Sequence, residues 1–414
     1  MKNYLKVKKK IKSIKLNTSK YPNNELEYVL DVLDSSNKKK SYVYELEKKF
    51  SKIFNTKYAI ACNSGTSGLH ACLAVLDLKE DDEVIVPSLA VVMDAYVAIH
   101  CNAKPVFADV DPNSYLITAE TIKKKITSRT KAVIAVSLQG MPVDIEPIIK
   151  LSKKYKFTVI EDNAQEFYGS YKGKLSGNAG DMSMWSFENK KHLSGASEGG
   201  IITTNSKKLA NKMRKFAGIG YVNLNQNSKN DPLPLSIIQN PNYKRFNFIG
   251  LNYRMPEIVA AVCLGQLENF RHIVKRRQQV AKSFGKVIKN CSWLIPQKGN
   301  YDYVHTYYTF ALQYLGKEKF GVEWKKFYND FKLLGGDGFY AANCPIYLEP
   351  SIKQHFKKKY KLNLSKKDCP NAIKLQQRII QFKTNYRSSE ELDRNLYALK
   401  NLIKKYDKIN INKR

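Results

Sequence analysis

The sequence is short of acidic residues, and it has neither a paired cysteine motif nor a long hydrophobic run. Its seven cysteines are scattered, and none stands in a C-x-x-C pair. This spacing argues against a disulfide framework and a zinc site, and it favours a reducing compartment. No metal site is predicted.

The longest apolar stretch, Val84 to Met93, contains Pro87 and Ser88 and is too short to cross a bilayer. The stretch from Met1 to Leu16 is rich in lysine and has no continuous apolar segment, so no secretory signal is predicted. We therefore expect a cytoplasmic protein without membrane insertion.

The charge balance is strongly basic, with 70 Lys and Arg against 37 Asp and Glu and a formal net charge of +33. Such an excess favours an anionic partner, whether nucleic acid, a membrane surface or a phosphorylated small substrate. The basic residues are spread over the chain, with one dense run at Lys8 to Lys10, which is typical of a solvated surface. No basic motif interleaved with aromatic residues is evident, so nucleic-acid binding is not predicted.

Short apolar runs alternate with amphipathic stretches in the first half of the chain. The runs predict strands at Tyr58 to Cys62, Glu83 to Pro87, Pro105 to Asp109, Ala132 to Val136, Phe157 to Glu161, Met182 to Phe187 and Gly200 to Thr203. The stretches between them predict helices at Ser67 to Leu76, Val91 to His100, Ala119 to Ile126, Ile145 to Tyr155 and Lys207 to Phe216. This alternation predicts an α/β fold with a mostly parallel, doubly wound sheet.

Three parts are predicted along the chain: an N-terminal arm over 1–40, a large domain over 41–290 and a smaller C-terminal α+β domain over 291–414. Asn223 to Tyr243 predicts a long surface loop because it is rich in Asn, Pro and Ser. A helical pattern begins at Pro256 and continues to about Ile288. The C-terminal domain has a predicted strand at Val304 to Gln313 and a helix from the cap at Ser388 to about Tyr406.

Polar residues follow several predicted strands, at the edge where open parallel sheets bind ligands. The turn at Gly65 and Thr66 fits a phosphate because it opens a helix, although a simple strand-to-helix turn has the same composition. Asp162 either caps the next helix or faces a cationic heterocycle. Lys191 follows another strand, with Ser186 upstream of it. A phosphate site, a pyridine partner and a Schiff-base lysine together meet the needs of pyridoxal phosphate.

Taken together, these segments resemble the DegT/DnrJ/EryC1/StrS family of pyridoxal-phosphate-dependent sugar aminotransferases, which has the aspartate-aminotransferase-like fold type I. The resemblance covers about Val43 to Tyr406. Its matching motifs are Ser64-Gly65-Thr66, Val86-Pro87-Ser88, Lys104 to Asp111, Glu161-Asp162 with Gln165, Ser186-Phe187 with Lys191, Glu198-Gly199-Gly200, and Asn252-Tyr253-Arg254-Met255. It implies a large pyridoxal-phosphate-binding domain followed by the smaller C-terminal domain.

The resemblance also implies roles for single residues toward the cofactor, pyridoxal 5′-phosphate. Lys191 would form the Schiff base and later move a proton between the substrate carbon and the cofactor. Asp162 would keep the pyridine nitrogen protonated, and Gln165 would lie near the phenolic oxygen. Gly65, Thr66 and the Ser186 hydroxyl would bind the phosphate.

Further roles implied by the resemblance concern the substrate and a second copy of the chain. Family members are usually homodimers, in which Asn252 would reach the phosphate of the partner subunit. Glu188 and His305 are weaker candidates for substrate contact, and a core or surface position is equally compatible with His305. Where most relatives have an aromatic residue that stacks on the cofactor, this chain has Val91 in the sequence Leu89 to Met93.

The implied reaction transfers an amino group from glutamate or glutamine to the keto group of a nucleotide-linked sugar, as in the synthesis of polysaccharide or glycoconjugate precursors. Because Lys191 is present where dehydratase relatives have histidine, transamination is favoured over deoxygenation. Two alternatives stay open: the same chemistry on a cyclitol or small phosphorylated ketone, and a basic binding or regulatory protein without turnover. The joint presence of Lys191, Asp162 and Ser186 argues against the second.

Overall fold

The computed structural model describes residues 21, 23–34, 41–225, 234–342, 344–386 and 388–411. Most of the predicted N-terminal arm therefore lies outside the described residues. The strands are β1 Tyr58–Cys62, β2 Glu83–Pro87, β3 Lys104–Ala108, β4 Thr130–Val136, β5 Thr158–Asp162, β6 Ser170–Tyr171, β7 Lys174–Leu175, β8 Met182–Ser186, β9 Gly200–Thr204, β10 Leu294–Pro296, β11 Tyr303–Val304, β12 Thr309–Tyr314, β13 Tyr340–Ala341 and β14 Ile379–Lys383.

The α-helices surround these strands. They are α1 Glu25–Leu33, α2 Tyr42–Ile53, α3 Gly65–Ala74, α4 Met93–His100, α5 Ala119–Lys123, α6 Ile145–Tyr155, α7 Lys207–Ala217, α8 Leu235–Ile238, α9 Glu257–Glu268, α10 Phe270–Ile288, α11 Gly316–Phe320, α12 Trp324–Leu333, α13 Pro350–Tyr360, α14 Pro370–Gln376 and α15 Ser389–Ile411. In the described part of the chain, none of them combines the length and the apolar character that a bilayer crossing needs. All seven cysteines are free thiols.

The central sheet has seven strands in the order β1-β9-β8-β5-β4-β2-β3. Neighbours from β8 to β3 are parallel, whereas β9 is antiparallel to both β8 and β1. Val84, Ile85 and Val86 on β2 are all fully buried, because a parallel sheet is covered by helices on both faces. The predicted α/β class with a mostly parallel, doubly wound sheet is confirmed.

All seven predicted strands of this sheet are present, and the helices predicted between them are present with ends that differ by up to three residues. The single helix predicted from Pro256 to Ile288 is wrong. Pro256 precedes the first helical residue, and Asn269, with φ of −117°, separates α9 from α10. The two helices bury different surfaces: α9 is buried from Ala260 to Leu267, while α10 has one buried and one exposed face.

The strand predicted from Val304 to Gln313 is also wrong, because this segment contributes to two sheets. Its first part, β11, pairs with β6, and its second part, β12, joins a four-stranded sheet in the order β10-β12-β14-β13. Between them, His305 lies in the connection and not in a strand. In the predicted loop from Asn223 to Tyr243, a short helix, α8, is present, and residues 226–233 lie outside the described residues.

The four-stranded sheet carries its own aromatic core. Phe284 on α10 stacks between Phe310 and Phe382, with ring centroids 5.7 and 5.0 Å away. The Ser388 hydroxyl caps α15 by accepting a hydrogen bond from the Glu391 N–H at 3.2 Å, as predicted, and the helix continues past Tyr406 to Ile411. The division of the chain at residue 290 stays a prediction, and the last turns of α10 pack into this core.

A buried ion pair joins Glu47 on α2 to Arg214 on α7, and both side chains also contact the backbone of β1. The Arg214 guanidinium donates to both carboxylate oxygens of Glu47, each at 2.6 Å. The same carboxylate accepts from the Ala61 N–H, and Arg214 donates to the Ala59 carbonyl, so each charged group also has a backbone partner inside the protein. Removing one partner leaves the other charge buried and unpaired.

We therefore expect Arg214→Met to lower the free energy of unfolding by about 3–5 kcal/mol, because Glu47 would remain charged and buried. Lys212→Met on the same helix is the matched control, since Lys212 pairs with Asp77, whose side chain is 72% exposed. We expect Lys212→Met to lower the free energy of unfolding by less than about 1 kcal/mol. Urea denaturation of both variants measures the two effects, and equal losses would contradict the assignment.

Candidate active site

The turn after β1 forms an anion-sized cradle against the end of β8. Ser64 caps α3 by accepting from the Ser67 N–H at 3.0 Å, and the N–H groups of Gly65 and Thr66 belong to the first helical turn, where no intrahelical acceptor exists. A Cβ on Gly65 would lie only 2.7 Å from the Ser186 Cβ. Glycine thus brings the helix N-terminus beside the Ser186 hydroxyl, where both can hold a phosphate.

Asp162 ends β5 below this edge and is 6% exposed. Its Oδ1 accepts a hydrogen bond from the Ala164 N–H at 2.8 Å. Burial raises the pKa of the Asp162 carboxyl, while the Ala164 N–H and the Lys191 ammonium oppose that rise by favouring the ionised form. The structure therefore brings Asp162 and Lys191 into one electrostatic environment.

Lys191 follows β8 and borders a cavity of about 650 Å³. Its Nζ lies 4.9 Å from the centroid of the Tyr308 ring. Burial lowers the pKa of the Lys191 amine, and the negative charges of Asp162 and Glu188 limit the effect. Lys190 borders the same cavity but is exposed, with its Nζ 6.0 Å from the Tyr340 ring.

The cavity wall contains polar groups from several elements. The Gln165 side-chain oxygen accepts from the Gln139 N–H at 2.9 Å, which leaves its amide group as a donor. Val91, at the predicted stacking position, also borders the cavity and is 42% exposed. The cavity is lined by Leu89, Ala90, Val91, Leu138, Gln139, Gln165, Lys190, Lys191, Arg277, Tyr308, Thr309, Tyr340, Ala341, Ala342, Ile379, Gln381, Lys383, Asn385 and Glu391.

Arg277 on α10 holds the backbone that carries Lys191. Its guanidinium donates to the Lys190 and Lys191 carbonyls at 3.2 and 3.0 Å. It also donates to the Tyr308 carbonyl and the Thr384 hydroxyl, each at 3.0 Å. Burial lowers the pKa of Arg277 to about 10.

The remaining predicted residues do not line the cavity. The Asn252 carbonyl accepts a hydrogen bond from the Asn63 side chain at 3.4 Å, so Asn252 lies beside the turn that follows β1. Asn252 is exposed. The Glu188 carboxylate accepts from the Lys190 N–H at 3.0 Å. Gly65, Thr66, Ser186 and Asp162 also lie outside the cavity lining.

His305 lies in a buried network away from the cavity lining. Its Nδ1 accepts from the Tyr307 N–H at 3.0 Å, so Nε2 donates to the Gln297 side-chain oxygen at 3.3 Å. The ring stacks on Tyr307 with centroids 3.9 Å apart. Burial lowers the pKa of His305 to about 3, which keeps the imidazole neutral.

Four residues near the site were not predicted from the sequence: Asp94, Gln139, Arg277 and Tyr308. Asp94 stands at the end of an apolar run, and a carboxylate inside such a buried segment is the signal that was available. Arg277 stands in a helix with several other basic residues, and nothing in the sequence separates it from its exposed neighbours.

The residues at this sheet edge fit pyridoxal 5′-phosphate. The cradle at Gly65, which a Cβ would fill, matches a phosphate, and the buried Asp162 carboxylate matches a protonated pyridine nitrogen. Burial lowers the pKa of the Lys191 amine, which favours the neutral form that reacts with an aldehyde.

The lowered pKa of Lys191 predicts that its amine becomes reactive at a lower pH than an ordinary lysine, whose pKa is about 10.4. Trace acetylation of the cofactor-free protein over a pH series, followed by mass spectrometry of the Lys191 peptide, measures this. A short lysine peptide in the same mixture is the internal standard. A Lys191 midpoint at or above that of the standard would contradict the assignment.

Comparison with known proteins identifies the family. Residues 20–392 match the sequence model of the DegT/DnrJ/EryC1/StrS aminotransferase family. GDP-perosamine synthase of Caulobacter vibrioides is 38% identical over 259 residues, which cover 62% of this chain and 65% of that protein, just under two thirds of its length. GDP-perosamine synthase of Escherichia coli O157:H7 is 34% identical over 290 residues, which cover 70% and 74% of the two chains.

Solved structures share the fold. An aminotransferase from Psychrobacter cryohalolentis superposes with a TM-score of 0.81 at 24% identity, over 92% of this chain and 97% of that one. Helicobacter pylori PseC, described as an aminotransferase involved in the biosynthesis of pseudoaminic acid, gives 0.78 at 21% identity, over 92% and 96%. The predicted fold and aminotransferase class are confirmed, and the chain belongs to the DegT/DnrJ/EryC1/StrS aminotransferase family.

Proposed function

We propose that the chain is a pyridoxal-phosphate-dependent aminotransferase that acts on the keto group of a nucleotide-linked sugar. The observation that carries this proposal is the position of Lys191. Its amino group borders a cavity of about 650 Å³, in the electrostatic environment of Asp162. An amine whose pKa is lowered by burial is a nucleophile for a carbonyl carbon.

Each reactive group of the cofactor has a matching residue in this chain. When bound, pyridoxal phosphate supplies an electron sink and carries the amino group between two substrates. The N–H groups of Gly65 and Thr66 and the Ser186 hydroxyl would hold its phosphate. Asp162 would keep a proton on the pyridine nitrogen, and the Gln165 amide would donate to the phenolic oxygen. Lys191 Nζ would hold the cofactor at its aldehyde carbon and, once the substrate amine had replaced it there, would move a proton between the substrate carbon and the cofactor.

Two observations support a sugar nucleotide as the acceptor. The two relatives named above are called GDP-perosamine synthase, a name that contains a nucleotide-linked sugar. Besides Lys191, the cavity lining contains three cationic residues, Lys190, Arg277 and Lys383, and one carboxylate, Glu391. This excess of positive charge favours an anionic diphosphate.

Glutamate or glutamine is the proposed amino donor, and the donor and the ketosugar bind in turn at the same site. Val91 gives the bound ring an aliphatic contact in place of an aromatic one. The names of the relatives do not favour a cyclitol or a small phosphorylated ketone. A binding protein without turnover has no need of a buried acid beside a lysine whose pKa is lowered.

The substrate class is tested by supplying the purified protein with pyridoxal phosphate, glutamate or glutamine, and a panel of acceptors. The panel contains nucleotide-linked ketosugars, cyclitol ketones and small phosphorylated ketones, and mass spectrometry detects the aminated product. We expect amination of a nucleotide-linked ketosugar, with activity lost in Lys191→Ala and retained in the control Lys212→Ala, at a lysine outside the cavity lining. Amination confined to the other two acceptor classes would contradict the proposed substrate.

We also propose a homodimer in which Asn252 of one subunit contacts the phosphate bound by the other. Asn252 is exposed, and the segment around it presents apolar side chains that are not covered in the single chain. Phe246, Ile249 and Leu251 are 53%, 94% and 43% exposed. An apolar patch of this kind is typical of a surface that another protein covers.

Shared sites predict complementation between two inactive chains. A heterodimer of Lys191→Ala with Asn252→Asp contains one site in which both residues are intact, so we expect about half of the parent activity. The two variants are co-expressed with different tags, and the purified heterodimer is compared with both homodimers. We expect the Asn252→Asp homodimer to lose at least about tenfold in activity, because the substitution places a carboxylate beside a phosphate. With that loss observed, an inactive heterodimer would show that Asn252 does not act across the interface.

A further inference from the structure

Asp94 is a fully buried carboxyl group that the roles given above do not use. It lies in the first turn of α4 and is 1% exposed. Neither of its carboxylate oxygens receives a hydrogen bond from an N–H or O–H donor among the described residues. The Asp162 carboxyl lies within hydrogen-bonding reach of the Asp94 carboxyl.

Two carboxylates in contact inside a protein do not both stay ionised. The repulsion between like charges adds to the cost of removing each charge from water, so the pair retains one proton. A proton between them turns the repulsion into a hydrogen bond, which also satisfies the otherwise unpaired oxygens of Asp94.

The surroundings decide which carboxyl holds the proton. Asp162 accepts the Ala164 N–H and is near the Lys191 ammonium, and both favour its ionised form. Among the described residues, the charged group that acts on Asp94 is the Asp162 carboxyl, and burial and that negative charge both raise the pKa of Asp94. The charge of Asp162 also acts on the fully buried thiol of Cys72, and burial raises the pKa of that thiol so that it stays neutral.

We propose that Asp94 is a protonated carboxylic acid that donates a hydrogen bond to the Asp162 carboxylate and positions it. The shared proton is a property of the protein alone. The function of the pair rests on the proposed function: Asp94 holds the carboxylate that faces the pyridine nitrogen and takes up part of its negative charge. Asp94 is therefore a positioning residue, since it acts on the cofactor through Asp162.

An amide is the matched replacement for this acid. Asp94→Asn keeps the size of the side chain and supplies an N–H donor to Asp162, but it has no proton that titrates. Asp94→Ala removes the donor altogether. The two variants therefore separate the need for a hydrogen bond from the need for a carboxyl group.

Infrared difference spectroscopy of the cofactor-free protein at pH 8 tests for the proton directly. We expect the parent spectrum minus the Asp94→Asn spectrum to contain one protonated carboxyl band. The difference is needed because burial also raises the pKa of Glu166, to about 7, and Glu166 contributes to both spectra. Asp77→Asn, at an exposed residue, should show no such band. Absence of the band from the Asp94→Asn difference would overturn the proposal.

The pH dependence of folding gives a second readout. Because the pKa of Asp94 is raised in the folded protein, the stability it contributes is present below the unfolded value of about 3.9 and is lost as the pH rises above it. We expect Asp94→Asn to melt at a higher temperature than the parent at pH 8, with a difference that narrows toward pH 4. A variant that melts lower than the parent at pH 8 and at pH 4 alike would contradict a protonated Asp94.

Cofactor binding tests the positioning role. We expect Asp94→Ala to raise the dissociation constant for pyridoxal phosphate by about tenfold and Asp94→Asn to stay within about threefold of the parent, because a hydrogen bond to a charged group is lost only in the first. Parent-like binding by Asp94→Ala would overturn this role. If the parent itself does not bind pyridoxal phosphate, the proposed function fails and the positioning role fails with it, while the infrared difference still decides where the proton is.

Discussion

The candidate site depends on how closely three backbone segments approach one another at one edge of the central sheet. Gly65 leaves no room for a Cβ against Ser186, and a Cβ on Gly200 would overlap the Ser64 carbonyl. Because β1, β8 and β9 are hydrogen-bonded neighbours, this contact fixes the helix N-terminus after β1 relative to the segment that carries Lys191. A larger residue at either glycine would separate the anion cradle from the lysine.

Burial sets the chemistry of the groups brought together there. It lowers the pKa values of Lys191 and Arg277 and raises that of Asp162, so each group is moved toward its neutral form. Neighbouring charges and hydrogen bonds oppose these shifts: the Ala164 N–H favours an ionised Asp162, and the Asp162 charge favours a protonated Lys191. The pKa values of Asp162 and Lys191 are therefore closer together than they would be in water, which lowers the cost of moving a proton between these two groups.

The sequence was sufficient for the local features of the fold and the site. Gly65, Asp162 and Lys191 each lie at or just after the end of a strand that a short apolar run predicts, so their common edge follows from the parallel topology. Contacts between distant segments were not predictable in this way. Asp94 and Asp162 are far apart in the sequence, and their approach depends on tertiary packing. The break at Asn269 and the division of residues 303–314 between two sheets depend on it as well. His305 lies in the connection between β11 and β12, and no local sequence pattern indicates that these residues form two strands.

The central claim is that Lys191 is the residue that binds the cofactor. It is tested most directly by incubating the protein with pyridoxal phosphate, reducing it with borohydride and mapping the modified peptide by mass spectrometry. Lys190→Arg is the matched control, because Lys190 is the adjacent lysine and borders the same cavity. We predict that the adduct is on Lys191 in both the parent and Lys190→Arg. An adduct on Lys190, or no adduct, would contradict the account.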